Sequence, residues 1–462
     1  MIRGQTPGRG SIGQACSGIL LVGGASERFG SPKALARFRG ETLAGRGWRV
    51  LHQICDEVIA VGKGADALEL PFPVLDDGSD ERAPIFGVIA GLHAARNGDC
   101  LLLPVDTPLV TPELLSELLR AGGVPQTGPL PGVYAKAMLA TLESRVASGE
   151  LSLRGVNERV VELDENFLLN VNTRMDLVAA AVADWARERS DVHAVVVAGS
   201  QAREDMPADR WSDLDVILVV DDPAPYAADA RWIEEFGVPV MTFVEATAMG
   251  GQRERRVLYE TGEDVDFPLI PLATRDLLES IGDVVELFRR GYRVLVDKID
   301  LEEQLRRIVA TPRPATASPT QHDLTELASD FWYHALWAAK KLRRGEVFTA
   351  KGCLDGYLKA RLVTLLEWHA RAVDPDVDTW HDGRFLERWA DPGALSALER
   401  AFAHYDVRDV ARALWETIDL WQGLEEETAR RLDSRVELDH ADLRRRVAEV
   451  VPDPRGASTL WP

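Results

Sequence analysis

The front third of the chain alternates short apolar runs with stretches of helical periodicity. The apolar runs have the length of buried parallel strands and end in glycine or aspartate: ILLVGG (19–24), EVIAVG (57–62) and CLLLPVD (100–106). Residues 42–54 and 86–96, which lie between these runs, have the apolar spacing of helices. This alternation predicts a doubly wound, mostly parallel, Rossmann-like α/β sheet with helices on both faces.

A second pattern begins near residue 190. A helical stretch at 175–189 precedes further apolar runs that predict strands: HAVVVAGS (193–200), DVILVV (215–220), VPVMTFV (238–244) and VDFPLI (265–270). The strand signals fade from about residue 273. The Pro-rich, Ala-rich stretch 311–320 is typical of a linker, and residues 321–450 have helical periodicity. We therefore expect a second sheet followed by a helical region.

These patterns divide the chain into four regions. Residues 1–17 are Gly-rich and have no apolar core segment, so we expect a disordered leader and no signal peptide. We place the other three regions at 18–182, 183–310 and 321–452, which are ordinary lengths for domains. No internal repeat is visible, so the two sheets are not copies of one domain.

The composition is that of a soluble globular protein. Hydrophobic residues make up 46% of the 462 positions and charged residues 27%. No apolar run reaches the roughly 18 residues of a membrane-spanning helix, so we expect no membrane segment. The four cysteines form no C-x-x-C pair, which argues against zinc and disulfides and favours the cytoplasm.

Negative charge is concentrated in the back part of the chain. The net charge of −21 divides into −5 over residues 1–185 and −16 over residues 186–462. Nucleic-acid binding needs a basic face, so we expect no nucleic-acid partner. The acidic part could attract a polycation, although such charge is also explained by solubility alone.

The segment GGASERFGSPKAL (23–35) directly follows the first predicted strand. Gly23 and Gly24 allow the backbone to approach a phosphate chain, and Arg28 and Lys33 add the positive charge that grips a triphosphate. The spacing fits neither a P-loop nor G-x-G-x-x-G. The alternative is a Gly-rich turn with two solvated cations.

This loop and three later segments resemble, in order, the MobA-like nucleotidyltransferases, the group of molybdenum cofactor guanylyltransferase and its cytidylyl relative. The later segments are APIFGVIAGL (83–92), PVDTPLVTPELL (104–115) and NVNTRMDL (170–177). The resemblance implies Mg²⁺-dependent transfer of GMP or CMP, from GTP or CTP, to a phosphorylated acceptor such as molybdopterin.

The resemblance also assigns roles to residues. It makes Asp106 the metal ligand, gives the nucleotide to Gly23, Gly24, Arg28 and Lys33, and places Asp76 near the base or the metal. Asp106 ends a predicted strand, where open α/β sheets bind ligands; it could instead cap the next helix. Mg²⁺ and Lys33 would stabilise the charge of the departing pyrophosphate.

Two positions depart from the MobA-like pattern. Ala83 stands where the group has the first glycine of G-P-L, and Arg174 replaces the proline of N-T-P. Neither change removes a charge that the chemistry requires. They bear on the choice of nucleotide and acceptor.

The back part carries a second set of candidate residues. Gly199 and Ser200 form a turn after a predicted strand, and Asp213 and Asp215 point to one face of the next strand because side chains alternate along it. Asp266, on a later strand, can complete a carboxylate triad. Three such carboxylates suit a two-metal site for nucleotidyl transfer. Acidic pairs are, however, also common on solvated strands.

Residues 178–432 resemble aminoglycoside 6-adenylyltransferases, the streptomycin-modifying branch of the DNA-polymerase-beta-like nucleotidyltransferases. Helical segments at 330–370 and 380–406 share the resemblance. It implies a mixed sheet, and a helical domain that completes an active site adenylylating an aminoglycoside from ATP, as in antibiotic resistance. Gln201 stands where this family has arginine, so Arg203 is assigned to ATP together with Gly199 and Ser200.

The acceptor of the rear site should meet acidic side chains because aminoglycosides are polycations. Asp330, Asp355 and Glu367 in the helical region are candidates, and Asp266 is the candidate base. We therefore hypothesise a bifunctional nucleotidyltransferase. The alternatives are that the rear domain is a non-catalytic binding or regulatory module, or that it adenylylates an endogenous hydroxyl compound.

Overall fold

The computed structural model describes most of the chain and divides it into two compact units, Met1–Pro312 and Arg313–Pro462. The described residues are 15–23, 29–203, 205–247, 251–279, 282–312, 317–379 and 382–456. No helix within these ranges combines the length and the apolar composition required to cross a membrane.

The front part of the first unit contains the predicted alternation of strands and helices. Its elements are β1 (Cys16–Leu21), β2 (Arg37–Phe38), β3 (Glu41–Thr42), α1 (Leu43–His52), β4 (Glu57–Gly62), β5 (Val74–Asp76), α2 (Pro84–Ala94), β6 (Asp99–Pro104), α3 (Pro112–Ala121), β7 (Val124–Pro125), β8 (Gly132–Ala135), α4 (Leu139–Ala147), β9 (Val160–Val161) and α5 (Arg174–Arg187).

The main front sheet has the strand order β5–β4–β1–β6–β8. Strands β5, β4, β1 and β6 are parallel, and β8 pairs antiparallel with β6. The doubly wound, mostly parallel fold is thus confirmed. Cys16 and Ser17, which we had assigned to the leader, belong to β1: both are buried, and the Gly-rich composition before them had hidden the strand's start.

The rear part of the first unit forms a mixed sheet. Its elements are β10 (Val192–Ala198), β11 (Leu214–Val220), α6 (Pro223–Ala228), β12 (Pro239–Ala246), β13 (Arg253–Tyr259), β14 (Asp264–Pro271), α7 (Gly282–Arg289), β15 (Arg293–Asp297) and α8 (Leu301–Ala310). The strand order is β12–β13–β14–β11–β10–β15, in which β11 and β14 are parallel and the other pairs antiparallel.

Two strands of this sheet were missed in the sequence. Strand β13 has the sequence RERRVLY, whose charged residues conceal the alternation expected of a half-buried strand. Strand β15, RVLVD, lies beyond residue 273, where we expected strands to end, yet it pairs with β10 at the sheet edge. Tertiary pairing, and not local apolar periodicity, makes these segments strands.

Helix α5 packs between the two sheets. Its alanines and Trp185 belong to one hydrophobic core that includes residues of both β1 and β10. The ring of Trp185 lies 5.6 Å from Trp232 and 5.5 Å from Phe236 of the rear part. On the front side, Asp184 forms ion pairs of 2.8 Å with Arg39 and 3.0 Å with Arg46. The two sheets therefore share a core through this helix.

The second unit is helical. Its helices are α9 (Gln321–Arg343), α10 (Val347–Gly352), α11 (Lys359–Val373), α12 (Leu386–Trp389), α13 (Pro392–Ala401), α14 (Val407–Arg431) and α15 (His440–Val450), and residues Cys353–Leu358 form a π-helical segment between α10 and α11. Tryptophans fill its core: Phe331 and Trp421 stack at 3.9 Å, and Trp332 is 1% exposed. The expected helical C-terminal region is confirmed.

Candidate active sites

A cavity of about 380 Å³ opens at the carboxyl ends of β1, β4 and β6. Gly23 follows β1, Lys63 follows β4 and Asp106 follows β6, and all three line the cavity together with Lys33. This edge is where open parallel sheets bind their ligands, since the strand order reverses there.

Lys33 and Asp106 form one charged pair of this cavity. The Lys33 Nζ lies 3.3 Å from Asp106 Oδ2 and donates a hydrogen bond of 2.9 Å to Asn172 Oδ1. The other carboxylate oxygen, Asp106 Oδ1, is buried and accepts no hydrogen bond from the described residues. Burial raises the pKa of Asp106, although Lys33 opposes the shift. Thr111 caps α3, so Asp106 has no capping role there.

The predicted glycine loop is described only in part. Gly23 lines the cavity, and a Cβ at this position would lie 3.3 Å from Gly62 Cα, so β1 and β4 leave little room for a side chain. Gly24 and Arg28 lie outside the described residues. Their assignment to the nucleotide stays a prediction.

Asp77, not its neighbour Asp76, lines the cavity. Asp76 is exposed, and its carboxylate accepts a hydrogen bond of 3.1 Å from Gly78 N. Asp77 pairs at 2.9 Å with Lys63, whose Nζ also donates to the carbonyl of Ser79 at 2.6 Å. Sequence reasoning missed Lys63 and Asp77. The lysine directly after strand 57–62 was the available signal.

The two departures from the MobA-like pattern occupy different places. Ala83 precedes α2 as its N-terminal cap residue and lines the cavity. Arg174 lies over the ring of Phe29 at 5.4 Å, and its guanidinium is 3.9 Å from Glu263 in the turn between β13 and β14. Ala83 is therefore placed to shape the cavity, whereas Arg174 contacts the rear part of the unit.

The rear sheet brings the three predicted aspartates together. Asp215 on β11 is the direct partner of Asp266 on the parallel strand β14, and Asp213 immediately precedes β11. One carboxylate oxygen from each residue lies within 4.8 Å of the others. The spacing of oxygen ligands fits a divalent cation site.

Electrostatics at this triad disfavour three negative charges without a cation. Burial, followed by the charges of Asp213 and Asp266, raises the pKa of Asp215 to about 7. Burial raises the pKa of Asp266 to about 7 as well, against the effect of Arg256, while Glu254 adds to the rise. Asp266 is 4% exposed, and its Oδ1 accepts no hydrogen bond from the part of the chain that the structure describes. This orphaned oxygen and the crowded carboxylates around it fit the requirements of bound metal.

The turn that begins at Gly199 lies against Asp213 and Asp215 of the triad. Gly199 has φ +64°, and a Cβ there would overlap Asp215 Oδ2. Ser200 Oγ and Gln201 Nε2 each donate a hydrogen bond of 3.2 Å to the carbonyl of Asp213. Arg203 lies beyond this turn and is 8% exposed. The assignment of Ser200 and Arg203 to ATP binding stays a prediction.

Two charged residues near the triad were missed in the sequence. Arg256 and Glu254 lie on β13, and Arg256 is the direct partner of Asp266 in the sheet. The Arg256 Nη2 is 3.4 Å from Asp266 Oδ2. The signal was RERR (253–256) itself, which we did not recognise as a strand.

Comparison with known proteins identifies both parts. The model of the family described as "Streptomycin adenylyltransferase" matches residues 173–448, and that of the "MobA-like NTP transferase domain" matches residues 18–159. The chain belongs to the streptomycin adenylyltransferase family and carries a MobA-like domain in front. It is therefore a nucleotidyltransferase, with two domains of that class.

The alignments cover most of the length of the relatives of the MobA-like domain. A probable molybdenum cofactor guanylyltransferase of Aquifex aeolicus is 30% identical over 184 residues, which are 37% of this chain and 92% of that protein. A molybdenum cofactor guanylyltransferase of Pseudomonas putida is 36% identical, over 30% of this chain and 80% of that protein.

A solved aminoglycoside 6-adenyltransferase from Bacillus subtilis is 15% identical, covers 60% of this chain and 98% of that chain, and has a TM-score of 0.30.

The helical unit of the adenylyltransferase part holds its acidic candidates in ion pairs. Asp330 pairs with Arg361 at 3.3 Å and accepts a hydrogen bond of 3.0 Å from Tyr357 Oη. Asp355 pairs with Lys351, and Glu367 with Arg371 at 3.7 Å. Their role in acceptor binding stays a prediction.

Proposed function

We propose that the chain is a bifunctional nucleotidyltransferase with one active site in each of its two nucleotidyltransferase domains. The front site transfers GMP or CMP from GTP or CTP to a phosphorylated acceptor such as molybdopterin. The rear site transfers AMP from ATP to a hydroxyl of an aminoglycoside. Both reactions release pyrophosphate.

At the front site, the proposal is supported by the Lys33–Asp106 pair beside the cavity. Lys33 is held by Asp106 and Asn172, so its ammonium is fixed where a nucleotide's phosphates would enter. Asp106 Oδ1, which accepts no hydrogen bond within the described ranges, would hold Mg²⁺. A bound Mg²⁺ neutralises phosphate charge and aids departure of pyrophosphate. Lys33 stabilises the same charge from the protein side.

At the rear site, the single observation that carries the proposal is the triad of Asp213, Asp215 and Asp266. These carboxylates would hold Mg²⁺ on one face of the sheet, where the ion would supply charge neutralisation for the triphosphate. Asp266 is also the candidate to take the proton of the attacking hydroxyl. Gly199 keeps the approach to Asp215 free of a side chain.

We also propose a cellular location and a biological effect for the chain. All four cysteines are buried free thiols, which favours a reducing cytoplasm. Adenylylation of an aminoglycoside would lower its antibiotic effect, so that expression of the chain should raise resistance to streptomycin.

The direct test is a matrix of nucleotides and acceptors on the purified full chain, with pyrophosphate release followed and products identified by mass. We expect turnover for GTP or CTP with molybdopterin and for ATP with streptomycin, each dependent on Mg²⁺. Tight streptomycin binding without pyrophosphate release would instead establish the rear domain as a binding module. Release with ATP and a different hydroxyl compound would replace the aminoglycoside as acceptor and keep the reaction class.

A further inference from the structure

Two glutamates face each other on the same sheet as the triad. Glu245 on β12 is the direct partner of Glu254 on β13. Glu254 and Arg256 are two residues apart on β13 and therefore lie on one face, and Arg256 is in register with Asp266. The glutamate pair thus adjoins the triad on the face that carries Asp266.

One arginine is shared among these acids. The Arg256 Nε lies 2.5 Å from Glu245 Oε1 and 2.9 Å from Glu254 Oε1, and Nη2 lies 3.4 Å from Asp266. Like charges directly opposite on neighbouring strands are destabilising, and Arg256 offsets this repulsion. Burial nevertheless raises the pKa of Glu254, which is 8% exposed. A single guanidinium therefore serves three carboxylates.

The glutamate pair borders the candidate metal site on this face. Asp266 is 4% exposed, and its Oδ1 has no hydrogen-bond partner among the residues that the structure describes. A buried carboxylate oxygen without a partner is costly unless a cation or donor binds it. On the other side of Arg256, Phe243 of β12 is its direct partner and is 52% exposed, which leaves a flat apolar ring beside the charged groups.

We propose that Glu245 and Glu254 form the subsite that binds a guanidinium or ammonium group of the acceptor. The inference rests on the proposed function of the rear site and specifies how that site recognises its substrate. Arg256 shows that the pair accommodates a guanidinium group. A cation held there places the rest of the acceptor beside Asp266, where the hydroxyl must lose its proton. The competing interpretation is that the glutamates only fix Arg256.

The test is a calorimetric titration of streptomycin into the full-length chain with Mg²⁺ and an unreactive ATP analogue. Glu245→Gln and Glu254→Gln each remove one charge with little change in shape. We expect each to raise the Kd for streptomycin about tenfold, the size of one charge-assisted hydrogen bond, and to change the Kd for the ATP analogue, titrated separately, by less than about twofold.

Glu235→Gln is the matched control. Glu235 is exposed in the short helix Arg231–Glu235, whose Ile233 carbonyl accepts a hydrogen bond from Tyr259 on the opposite face of β13. Glu235→Gln removes the same charge from the same domain and should leave the Kd for streptomycin unchanged. Glu245 is 44% exposed in its side chain, so Glu245→Gln tests the proposal even if Glu254→Gln does not fold.

The outcomes separate this inference from the proposed function. An unchanged Kd in Glu245→Gln, an equal loss of ATP affinity, or no streptomycin binding by the unmodified chain would overturn the subsite. Binding that depends on the two glutamates but gives no pyrophosphate release would uphold the subsite and reject the catalytic proposal.

Discussion

At the scale of single residues, the raised pKa of Asp215 makes the stability of the chain depend on pH. Asp215 has a pKa raised to about 7 by burial and by neighbouring carboxylates. Between pH 4 and pH 7 the folded chain therefore holds a proton that the unfolded chain has lost, and this contribution to stability falls as the pH rises. About one pH unit above this pKa, both forms are ionised and the loss is complete.

We therefore expect Asp215→Asn to stabilise the metal-free protein relative to the unmodified chain, by an amount that grows from pH 5 to pH 8. Mg²⁺ should raise the Tm of the unmodified chain more at pH 8 than at pH 5, because the ionised carboxylates bind it. Thermal unfolding across this range, with and without Mg²⁺, measures both effects. A variant that becomes less stable than the unmodified chain as the pH rises would refute the assignment.

Gly199 offers a second residue-scale prediction. Gly199→Ala places a Cβ on Asp215 Oδ2 in a backbone with φ +64°. We expect about 1–2 kcal/mol of backbone strain and loss of rear-site turnover. Gly251→Ala is the matched control, because Gly251 has φ +62° and, apart from its chain neighbours, no atom of the described residues lies within 4 Å of its added Cβ. The control should lose similar stability in urea unfolding but keep its activity; equal activity in both variants would contradict the role of Gly199.

At the scale of elements, α5 determines whether the two sheets behave as one body. Trp185 is 3% exposed and packs against Trp232 and Phe236 of the rear part. Trp185→Ala should cost about 3–5 kcal/mol and lower the stability of both sheets together. We expect urea unfolding to remain a single transition with a lower midpoint. Hydrogen exchange should show that amides of both sheets lose protection to the same extent. Destabilisation confined to the rear sheet would mean that the sheets unfold independently.

The elements also show what the sequence could predict. The period-two alternation of D-x-D and the third aspartate on a later strand anticipated Asp213, Asp215 and Asp266, which the parallel pairing of β11 and β14 brings together. The residue after a short strand was harder to place: Asp76 was chosen, although Asp77 lines the cavity. One-residue differences at strand ends depend on turn geometry that apolar patterns do not encode.

Residues that reach a site through tertiary contact left only weak signals in the sequence. Lys63 and Arg256 belong to no motif that we recognised, and they matter because Asp77 and Asp266 approach them in the folded chain. Strand β13 was overlooked for the same reason, since its pairing with β12 and β14 outweighs its charged composition. The proposed boundary near residue 182 falls within α5, a helix whose buried face serves both sheets.

At the scale of the whole molecule, the central claim is that one chain contains two separate nucleotidyltransferase sites. The candidate residues of the front site, Lys33 and Asp106, come after strands β1 and β6 of the parallel front sheet. The triad lies on the mixed sheet. No candidate catalytic residue is shared between them. Substitution at one site should therefore leave the other reaction intact.

The most direct measurement is pyrophosphate release by Asp106→Asn and Asp213→Asn with each substrate pair. We predict that Asp106→Asn loses about a thousandfold or more of the reaction of GTP or CTP with molybdopterin and retains that of ATP with streptomycin. Asp213→Asn should show the reverse, with both variants folded by circular dichroism. Loss of both reactions in either folded variant, or retention of both, would contradict the claim of two separate sites.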